Sequence, residues 1–394
     1  MKNILFITWD GPQVNYLQGL FLPIFSALKQ KGYQFHIIQF TWGNDIGTKE
    51  ACEQEGVFYH RISVIRKLQP LGELYTLWKS RREIIRYAKQ HKIGIVMPRS
   101  IYPMLLVRWI TQKLDCKVLF DADGLALDER VDFGGWSPSS LVYRFLRDVE
   151  YTGGVLADAI IVRSQKAKEI IAHRTGQHAE EKIVVVRNGK AVPDINVLYA
   201  GREALRKELG VAVDEKLLIY VGSIGTQYCV EEMFRFFSLI NQKVASRFLV
   251  LTKDKKSLQP FLDSLPTDLM KKVIVRSVPS EKVLEYVSAA DLGLAFRKPS
   301  FSMQAVAPIK VGEYLLGGVP VVSTKGIGDT ENILTGDTYG FLLDDLSEET
   351  LERVISRWQS RVYDYDCIHQ RGVEYFSLDK AVEDYEKALE LCVL

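Results

Sequence analysis

A lysine and a glutamate interrupt an otherwise apolar helical stretch in the segment APIKVGEYLLGGVPVVST, residues 307–324. Pro308 suits the first turn of a short helix and the two glycines suit its end, so Lys310 and Glu313 share one helix face. A carboxylate there can accept hydrogen bonds from two vicinal hydroxyls, as on a ribose, and the ammonium can bind a phosphate. The alternative is an ion pair on a solvated face, worth roughly a few tenths of a kcal/mol. We favour binding, because the helix lies between a loop and a buried strand.

A glycine turn in the segment YVGSIGTQYCVEEM, residues 220–233, offers a second place for phosphate groups. Gly222, Ser223 and Gly225 follow a predicted strand, and the glycines leave backbone N–H groups open. The next helix presents its positive end to the same place. The pattern predicts a diphosphate cradle, although such turns are common in proteins of many functions.

A third glycine turn, TWDGPQVN at residues 8–15, follows the first predicted strand. It contains Gly11 but lacks the full GxGxxG pattern, so dinucleotide binding is only weakly indicated, and a turn that needs glycine for its geometry alone is an equal alternative. Neither half of the chain shows GxGxxG followed by an acidic residue after the next strand, which disfavours a nicotinamide dehydrogenase.

Strands and helices alternate along the whole chain, a pattern typical of parallel sheets covered by helices on both faces. The polar stretch 187–216 interrupts the alternation, which then restarts, so we predict an α/β protein of two Rossmann-like doubly wound domains. Ligands of such domains bind at the carboxyl ends of the strands, and we expect the site in a cleft between the two. The predicted strands are 3–8, 35–40, 93–98, 117–121, 159–164, 182–186, 216–223, 247–252, 272–278, 292–297 and 319–324, and the main predicted helices are 14–30, 73–91, 101–114, 138–156, 165–175, 347–360 and 364–394.

Composition agrees with a globular enzyme of two domains. The chain has 394 residues, of which 47% are hydrophobic and 25% charged, and its net charge of +2 gives no argument for nucleic acid as a partner. Its five cysteines are far apart and contain no CxxC pair, which disfavours a zinc site or a disulfide framework. The opening MKNILFITWDG is too short for a signal peptide, so we expect a cytoplasmic protein.

The segment around Lys310 and Glu313 resembles the nucleotide-sugar motif of glycosyltransferase family 4, whose members have the GT-B fold of two facing Rossmann-like domains. The resemblance covers nearly the whole chain, and the order and spacing of its blocks make it specific. The other blocks are DADGLALDERVDFGGW (121–136), LADAIIVRSQKAKEII (156–171), YVGSIGTQYCVEEM (220–233), YVSAADLGLAFRKPSFS (286–302) and GIGDTENIL (326–334).

The resemblance implies roles for the domains and for the two motifs. We assign residues 1–188 to an acceptor domain, with a helix of about 375–394 packed back on it, and residues 189–374 to a nucleotide-sugar domain. Glu313 is implied to bind the donor ribose, with Tyr314 beside it in the same site, and the Gly222 turn is implied to take the diphosphate. Family members retain the anomeric configuration without a bound metal, so no metal and no cofactor are expected. The implied reaction moves a sugar from a UDP- or GDP-sugar to a hydroxyl of a saccharide or lipid-linked saccharide.

The sequence departs from the family pattern in two places. Many members carry a glutamate near the sugar ring where this chain has Ala305, and many carry Arg and Lys in the glycine turn where it has Ser223 and Tyr228. A transferase without metal must still stabilise the charge on the departing diphosphate. We expect Lys310 to do so first, and Arg297 or Lys298 second, although a solvated loop is an equal interpretation of that dipeptide.

The acceptor domain carries an aspartate pair in VLFDADG, at the end of a predicted strand. We expect Asp121 or Asp123 to orient or deprotonate the acceptor hydroxyl; helix capping is an alternative of equal weight. A DxD sequence also binds Mg²⁺ or Mn²⁺ in the other major glycosyltransferase fold, but that fold does not explain a second Rossmann-like half. The further residues assigned to the acceptor site are Gly11, Arg99, Asp128 and Arg130.

The segment 61–92 is a candidate membrane-binding surface. It holds nine Lys and Arg against two Glu, with apolar residues such as Leu71, Leu77, Trp78 and Ile84 among them. A basic amphipathic helix suits docking on an anionic bilayer at the inner face of the plasma membrane. An ordinary surface helix packed on the sheet is the alternative.

Two other functions fit the same fold. A sugar-nucleotide epimerase would need no acceptor, and a non-catalytic sugar-nucleotide-binding protein would agree with the missing glutamate at Ala305 and the altered glycine turn. Product analysis separates both from a transferase.

Overall fold

The computed structural model describes residues 2–11, 16–43, 47–67 and 69–393. The chain divides into two compact units, one formed by residues 1–190 with 378–394 and the other by residues 191–377. Most of the first glycine turn, residues 12–15, lies outside the described residues.

The first unit is built on a seven-stranded parallel sheet in the order β3-β2-β1-β4-β5-β6-β7. Its central strands consist almost entirely of buried apolar residues, as expected for a sheet covered on both faces. The strands are β1 (Lys2–Trp9), β2 (Tyr33–Thr41), β3 (Phe58–Ser63), β4 (Ile95–Pro98), β5 (Lys117–Asp121), β6 (Ala159–Val162) and β7 (Ile183–Val185).

Helices pack on this sheet, including the last helix of the chain. That helix, α17, packs on α1, β6 and β7, and the N–H of Leu378 donates to the carbonyl of Lys190 at 2.7 Å. The helices of this unit are α1 (Leu22–Gln30), α2 (Thr48–Gln54), α3 (Leu71–Gln90), α4 (Ile101–Ile110), α5 (Ala126–Gly134), α6 (Leu141–Leu156), α7 (Gln165–Thr175) and α17 (Leu378–Leu391).

The second unit repeats the plan with a six-stranded parallel sheet in the order β10-β9-β8-β11-β12-β13. Its strands are β8 (Lys216–Val221), β9 (Ser246–Leu251), β10 (Val273–Arg276), β11 (Leu292–Ala295), β12 (Val321–Thr324) and β13 (Gly340–Leu343). Its helices are α8 (Ile195–Glu208), α9 (Val230–Lys243), α10 (Lys255–Asp263), α11 (Thr267–Met270), α12 (Val283–Ser288), α13 (Ile309–Leu316), α14 (Thr330–Ile333), α15 (Glu348–Gln359) and α16 (Tyr365–Phe376). The prediction of two doubly wound parallel sheets is confirmed.

Each sheet has one point where the strand order reverses. It lies between β1 and β4 in the first unit and between β8 and β11 in the second. The connections leave the two strands in opposite directions there and open a crevice at their carboxyl ends, where ligands of doubly wound sheets bind. The residues that follow these strands are therefore the first candidates for a site.

Three elements differ from the sequence prediction. Strand β3 was missed because it is a partly exposed edge strand with polar residues, and the edge strand β13 was missed as well. The predicted helix 364–394 is two helices, because the extended backbone of Ser377 separates α16 from α17.

Candidate functional site

The Gly222 turn and Lys310 meet at the reversal point of the second sheet. Gly222 follows β8 directly and has a φ of 133°, a backbone conformation that residues other than glycine rarely adopt. A Cβ atom added at Gly222 would lie 2.6 Å from Cε and 2.7 Å from Nζ of Lys310. The fold thus brings the two predicted phosphate-binding features together, with the ammonium against the backbone of the turn.

Lys310 is a buried cation held by aromatic rings. Lys310 is 8% exposed. Its Nζ lies 3.9 Å from the ring centroid of Tyr228 and 5.2 Å from that of Tyr220. Within the described part of the chain, Lys310 forms no ion pair with a carboxylate. Burial lowers the pKa of Lys310, because the ammonium has lost its water. A buried cation without an ion-pair partner favours the binding of an anion.

Arg297 is a second cation in contact with Tyr228. Its Nη2 donates to the Tyr228 hydroxyl at 3.3 Å, and its guanidinium carbon lies 4.9 Å from the ring centroid. Burial alone would raise the pKa of Tyr228, but the charges of Lys310 and Arg297 outweigh it and lower the pKa to about 8. The lowered pKa of Tyr228 therefore indicates a positive electrostatic potential at this end of the sheet. Lys298, the other predicted cation, has an exposed side chain.

Helix α13 is buried along its length, which excludes the solvated ion pair as an explanation of its two charged residues. Every residue from Lys310 to Leu316 is buried, and Glu313 is 6% exposed. A buried carboxylate and a buried ammonium on one helix, at the reversal point of the sheet, are a candidate ligand-binding pair.

Tyr314 was assigned to the nucleotide site, but its side chain packs against the sheet. It is fully buried, its hydroxyl donates to the carbonyl of Leu294 at 3.0 Å, and the same oxygen accepts from the N–H of Val221 at 3.0 Å. Both hydrogen-bonding roles of the hydroxyl are used by the backbone of β8 and β11. Tyr314 fixes α13 against the sheet and does not face a ligand.

The remaining predicted residues of this unit have different surroundings. Ser223 is exposed, and its carbonyl accepts a hydrogen bond from the Tyr220 hydroxyl at 2.6 Å. Gly225 has no left-handed backbone, and an added Cβ would meet only the end of the Gln227 side chain, at 2.8 Å. Ala305 is fully buried, and its side chain offers no polar atom. Tyr228 stands in the glycine turn where many family members have a lysine, and the sequence analysis assigned it no role of its own.

We expect Gly222→Ala to weaken the binding of inorganic pyrophosphate about tenfold and to lower the free energy of unfolding by about 1–3 kcal/mol. The methyl group would meet the end of the Lys310 side chain in a backbone conformation that alanine rarely adopts. Gly225→Ala is the matched control, since the Gln227 side chain can move aside. Calorimetric titration and thermal unfolding measure both effects, and equal behaviour of the two variants would contradict this geometry.

A network of buried charges occupies the reversal point of the first sheet. Arg99, after β4, contacts Asp10 at 3.0 Å and Asp123 at 2.5 Å. Arg163, after β6, contacts Asp121 at 2.5 Å, and its Nε lies 3.8 Å from Asp123. Asp10 and Arg163 were missed by sequence reasoning, although both directly follow strands.

Asp123 is the accessible carboxylate of the predicted pair. Its side chain is 32% exposed and its φ is 58°, whereas Asp121 is fully buried. Asp121 accepts from the N–H of Asp123 at 3.1 Å, so it positions the exposed residue and does not meet a substrate itself. The two arginines beside the pair disfavour a divalent cation there. Nowhere in the described ranges do three or more His, Cys, Asp or Glu form a group that could hold a metal ion.

The residues assigned to the acceptor site do not all come together. Gly11 and Arg130 line one pocket in this unit. Arg99 is buried within the charge network, where it holds Asp123. The assignment of Asp128 to the pocket of Arg130 is corrected: the Asp128 carboxylate is bound by two other arginines, Arg147 and Arg174, each at 2.9 Å. Asp128 therefore stabilises the packing of α5 against α6 and α7.

The basic segment 61–92 has both buried and exposed apolar residues. Leu77 and Ile84 belong to the core, whereas Leu71 and Trp78 on the same helix α3 are exposed. No helix in the described parts of the chain is long and apolar enough to cross a bilayer.

Comparisons with known proteins agree with this architecture. Residues 24–190 match the sequence model of Glycosyltransferase Family 4, and a comparison with curated proteins gave no match. A glycosyltransferase from Rickettsia africae ESF-5 has 14% identity and a TM-score of 0.75, with 99% of both chains covered. Anabaena Alr3699/HepE in complex with UDP-glucose has 16% identity and a TM-score of 0.72, with 99% of this chain and 100% of that chain covered. WaaG, a glycosyltransferase involved in lipopolysaccharide biosynthesis, has 16% identity and a TM-score of 0.65, with 98% and 99% covered.

Proposed function

We propose that the chain, which has the GT-B architecture and whose residues 24–190 match the model of Glycosyltransferase Family 4, is a transferase that moves a sugar from a nucleotide-sugar to a hydroxyl of a saccharide or lipid-linked saccharide. The observation that carries the proposal is the buried Lys310 against the Gly222 turn, one helical turn from the buried Glu313. That arrangement offers a carboxylate for a ribose and a cation for a diphosphate on one rigid helix.

The donor is held by the second unit. Glu313 accepts hydrogen bonds from the ribose hydroxyls, and the diphosphate lies on the backbone of Gly222 and Ser223 with Lys310 and Arg297 beside it. The start of α9 adds the partial positive charge of a helix end. HepE, solved with UDP and with UDP-glucose, supports a uridine nucleotide as the carrier, and a guanosine nucleotide is the alternative.

The reaction we propose retains the anomeric configuration and uses no metal. The acceptor oxygen attacks the anomeric carbon from the side of the leaving group, the bond to the diphosphate breaks, and a phosphate oxygen takes the acceptor proton. Lys310 and Arg297 stabilise the negative charge that develops on the diphosphate, the role that a divalent cation has in other transferases. We name no covalent nucleophile.

The acceptor is held by the first unit, with its hydroxyl oriented by Asp123. This carboxylate contacts Arg99 at 2.5 Å and its side chain is 32% exposed, so it can accept a hydrogen bond from a hydroxyl and position it. WaaG, which is involved in lipopolysaccharide biosynthesis, supports a saccharide that is carried on a lipid.

Product analysis tests the proposal. The protein is incubated with UDP-, GDP-, ADP- and dTDP-glucose, with and without a mixture of saccharide acceptors, and the nucleoside diphosphate is quantified. We expect release that depends on the acceptor. A changed sugar-nucleotide without an acceptor would indicate an epimerase, and binding without release under any condition would indicate a non-catalytic protein.

We expect the affinity for UDP to fall as the pH rises through about 8. Below this pH Tyr228 is a neutral phenol beside Lys310; above it, the phenolate forms and offsets the positive charge that attracts the diphosphate. Burial also lowers the pKa of Lys310, so its own loss of a proton acts in the same direction. Calorimetric titrations between about pH 7 and 9 should show a smaller fall for Tyr228→Phe, which cannot ionise. If the wild type and Tyr228→Phe showed the same dependence of UDP affinity on pH, ionisation of Tyr228 would not control the binding.

We further propose that α3 docks the protein on an anionic membrane, from the cytoplasmic side. The helix exposes Leu71, Tyr75 and Trp78 within a segment that has an excess of seven positive charges. Sedimentation with vesicles containing phosphatidylglycerol should be strong at low salt and weaken as salt increases. A protein that stays in the supernatant at low salt would refute docking.

A further inference from the structure

A pocket opens in the first unit at the end of β1. Its volume is about 730 Å³, within the range of roughly 300–1,000 Å³ that is usual for small-molecule sites. Trp9 and Gly11 form its floor beside the start of α4, and the beginnings of α3 and α6 form its walls. Asp10, which holds Arg99 and through it Asp123, also lines this pocket. The pocket is therefore continuous with the charge network that orients the acceptor.

Aromatic rings dominate the lining. Trp9, Trp42, Tyr102 and Trp136 all face the pocket, and the rings of Trp9 and Tyr102 lie 5.0 Å apart between centroids. Indole and phenol rings combine a broad apolar face with a polar edge. Such a surface suits a ligand whose ring has apolar C–H faces and hydroxyl edges, which is the chemistry of a saccharide.

Two arginines are held against these rings. The guanidinium carbon of Arg66 lies 4.5 Å from the Trp42 ring centroid, and that of Arg130 lies 4.7 Å from the Trp136 ring centroid. In the described part of the chain neither arginine forms an ion pair. Stacking on a ring leaves the N–H groups at the guanidinium edge able to bind a carboxylate or phosphate in a bidentate manner.

The acidic residues of the lining do not cancel this charge. Asp10 is paired with Arg99 at 3.0 Å. Glu73 accepts hydrogen bonds from the side chains of Gln69 and Tyr102, each at 3.1 Å, and forms no ion pair with a described residue. The lining thus holds one carboxylate and two guanidinium groups that form no ion pair with a described residue, which leaves an excess of positive charge.

We propose that this pocket binds an acidic saccharide, a sugar ring that carries a carboxylate or a phosphate, as part of the acceptor. Its ring stacks on the tryptophans, and Arg66 and Arg130 bind its acidic group. The inference rests on the proposed transferase function and narrows the acceptor class within it.

Tryptophan fluorescence provides the test, because three of the six tryptophans of the chain line the pocket. The probes are glucose, glucuronic acid, glucose 6-phosphate and inorganic phosphate. We expect glucuronic acid or glucose 6-phosphate to bind about tenfold more tightly than glucose, and the tighter of the two identifies the acidic group. Arg66→Gln and Arg130→Gln should each remove most of this preference. Arg82→Gln, an exposed arginine on α3, is the matched control and should leave the preference unchanged.

The outcomes separate this inference from the proposed function. Equal affinity for glucose and its acidic derivatives, or a preference that survives both substitutions, would overturn it. Inorganic phosphate that binds as tightly as glucose 6-phosphate would show an anion site without saccharide recognition and would overturn it as well. UDP-glucose binding is measured on the same proteins: if it is intact while the acidic preference is absent, this inference fails alone.

Discussion

Replacing Lys310 by methionine should lower kcat by about 100- to 1,000-fold and leave the protein at least as stable as before. The methionine side chain fills nearly the same volume, so the rings of Tyr220 and Tyr228 keep their packing. The desolvation penalty of the buried ammonium disappears, whereas its stabilisation of the departing diphosphate is lost. Initial rates at saturating donor and acceptor measure the first effect, and chemical denaturation measures the second.

The combination of the two effects distinguishes a catalytic cation from a structural one. Lys282→Met removes an exposed ammonium from the same unit and should alter neither quantity. If Lys310→Met kept its activity, or lost it together with its stability, Lys310 would be a structural residue and Arg297 would become the principal candidate for stabilising the leaving group.

Replacing Arg163 by methionine should lower the free energy of unfolding by about 3–5 kcal/mol. Asp121 is fully buried and contacts Arg163 at 2.5 Å, so removing the guanidinium leaves a buried carboxylate without its main partner. Arg163 also donates to the carbonyl of Val186 at 3.2 Å, which adds a lost hydrogen bond. Urea denaturation of the purified protein measures the change.

The double variant Arg163→Met/Asp121→Asn tests the cause of that loss. Neutralising Asp121 removes the unpaired charge, so the double variant should recover a large part of the stability, with a coupling energy of roughly 1–3 kcal/mol. Additive losses would mean that Arg163 acts through packing alone and that the network does not hold Asp123 electrostatically.

The positions of Lys310, Glu313 and Gly222 could be predicted because topology fixes them. Alternating strands and helices predict parallel sheets, and the reversal of strand order brings the residues after particular strands to one edge. The Gly222 turn follows β8 and the helix of Lys310 precedes β12, so their convergence follows from the strand order. The same rule brought Arg99 and Asp123 together in the first unit.

The side-chain partners could not be predicted, because they depend on packing between segments that are far apart in sequence. Asp128 was assigned to the acceptor pocket, yet Arg147 and Arg174 on two other helices bind it. Tyr314 was grouped with Glu313 because the two are adjacent, but adjacent residues on a helix point about 100° apart, and Tyr314 faces the sheet. Tyr228, which unites Lys310 and Arg297, carried no signal in the sequence beyond its place in a glycine turn.

The affinity of Glu313 variants for a nucleotide tests the central claim most directly. Calorimetric titration is carried out with whichever of UDP and GDP stabilises the wild-type protein. Glu313→Ala and Glu313→Gln should bind it roughly 100-fold more weakly, since a carboxylate that accepts from two ribose hydroxyls is lost, while Glu352→Gln, an exposed glutamate of the same unit, should bind as the wild type does. Folded Glu313 variants with unchanged nucleotide affinity would contradict the assignment of α13 as the donor-binding helix.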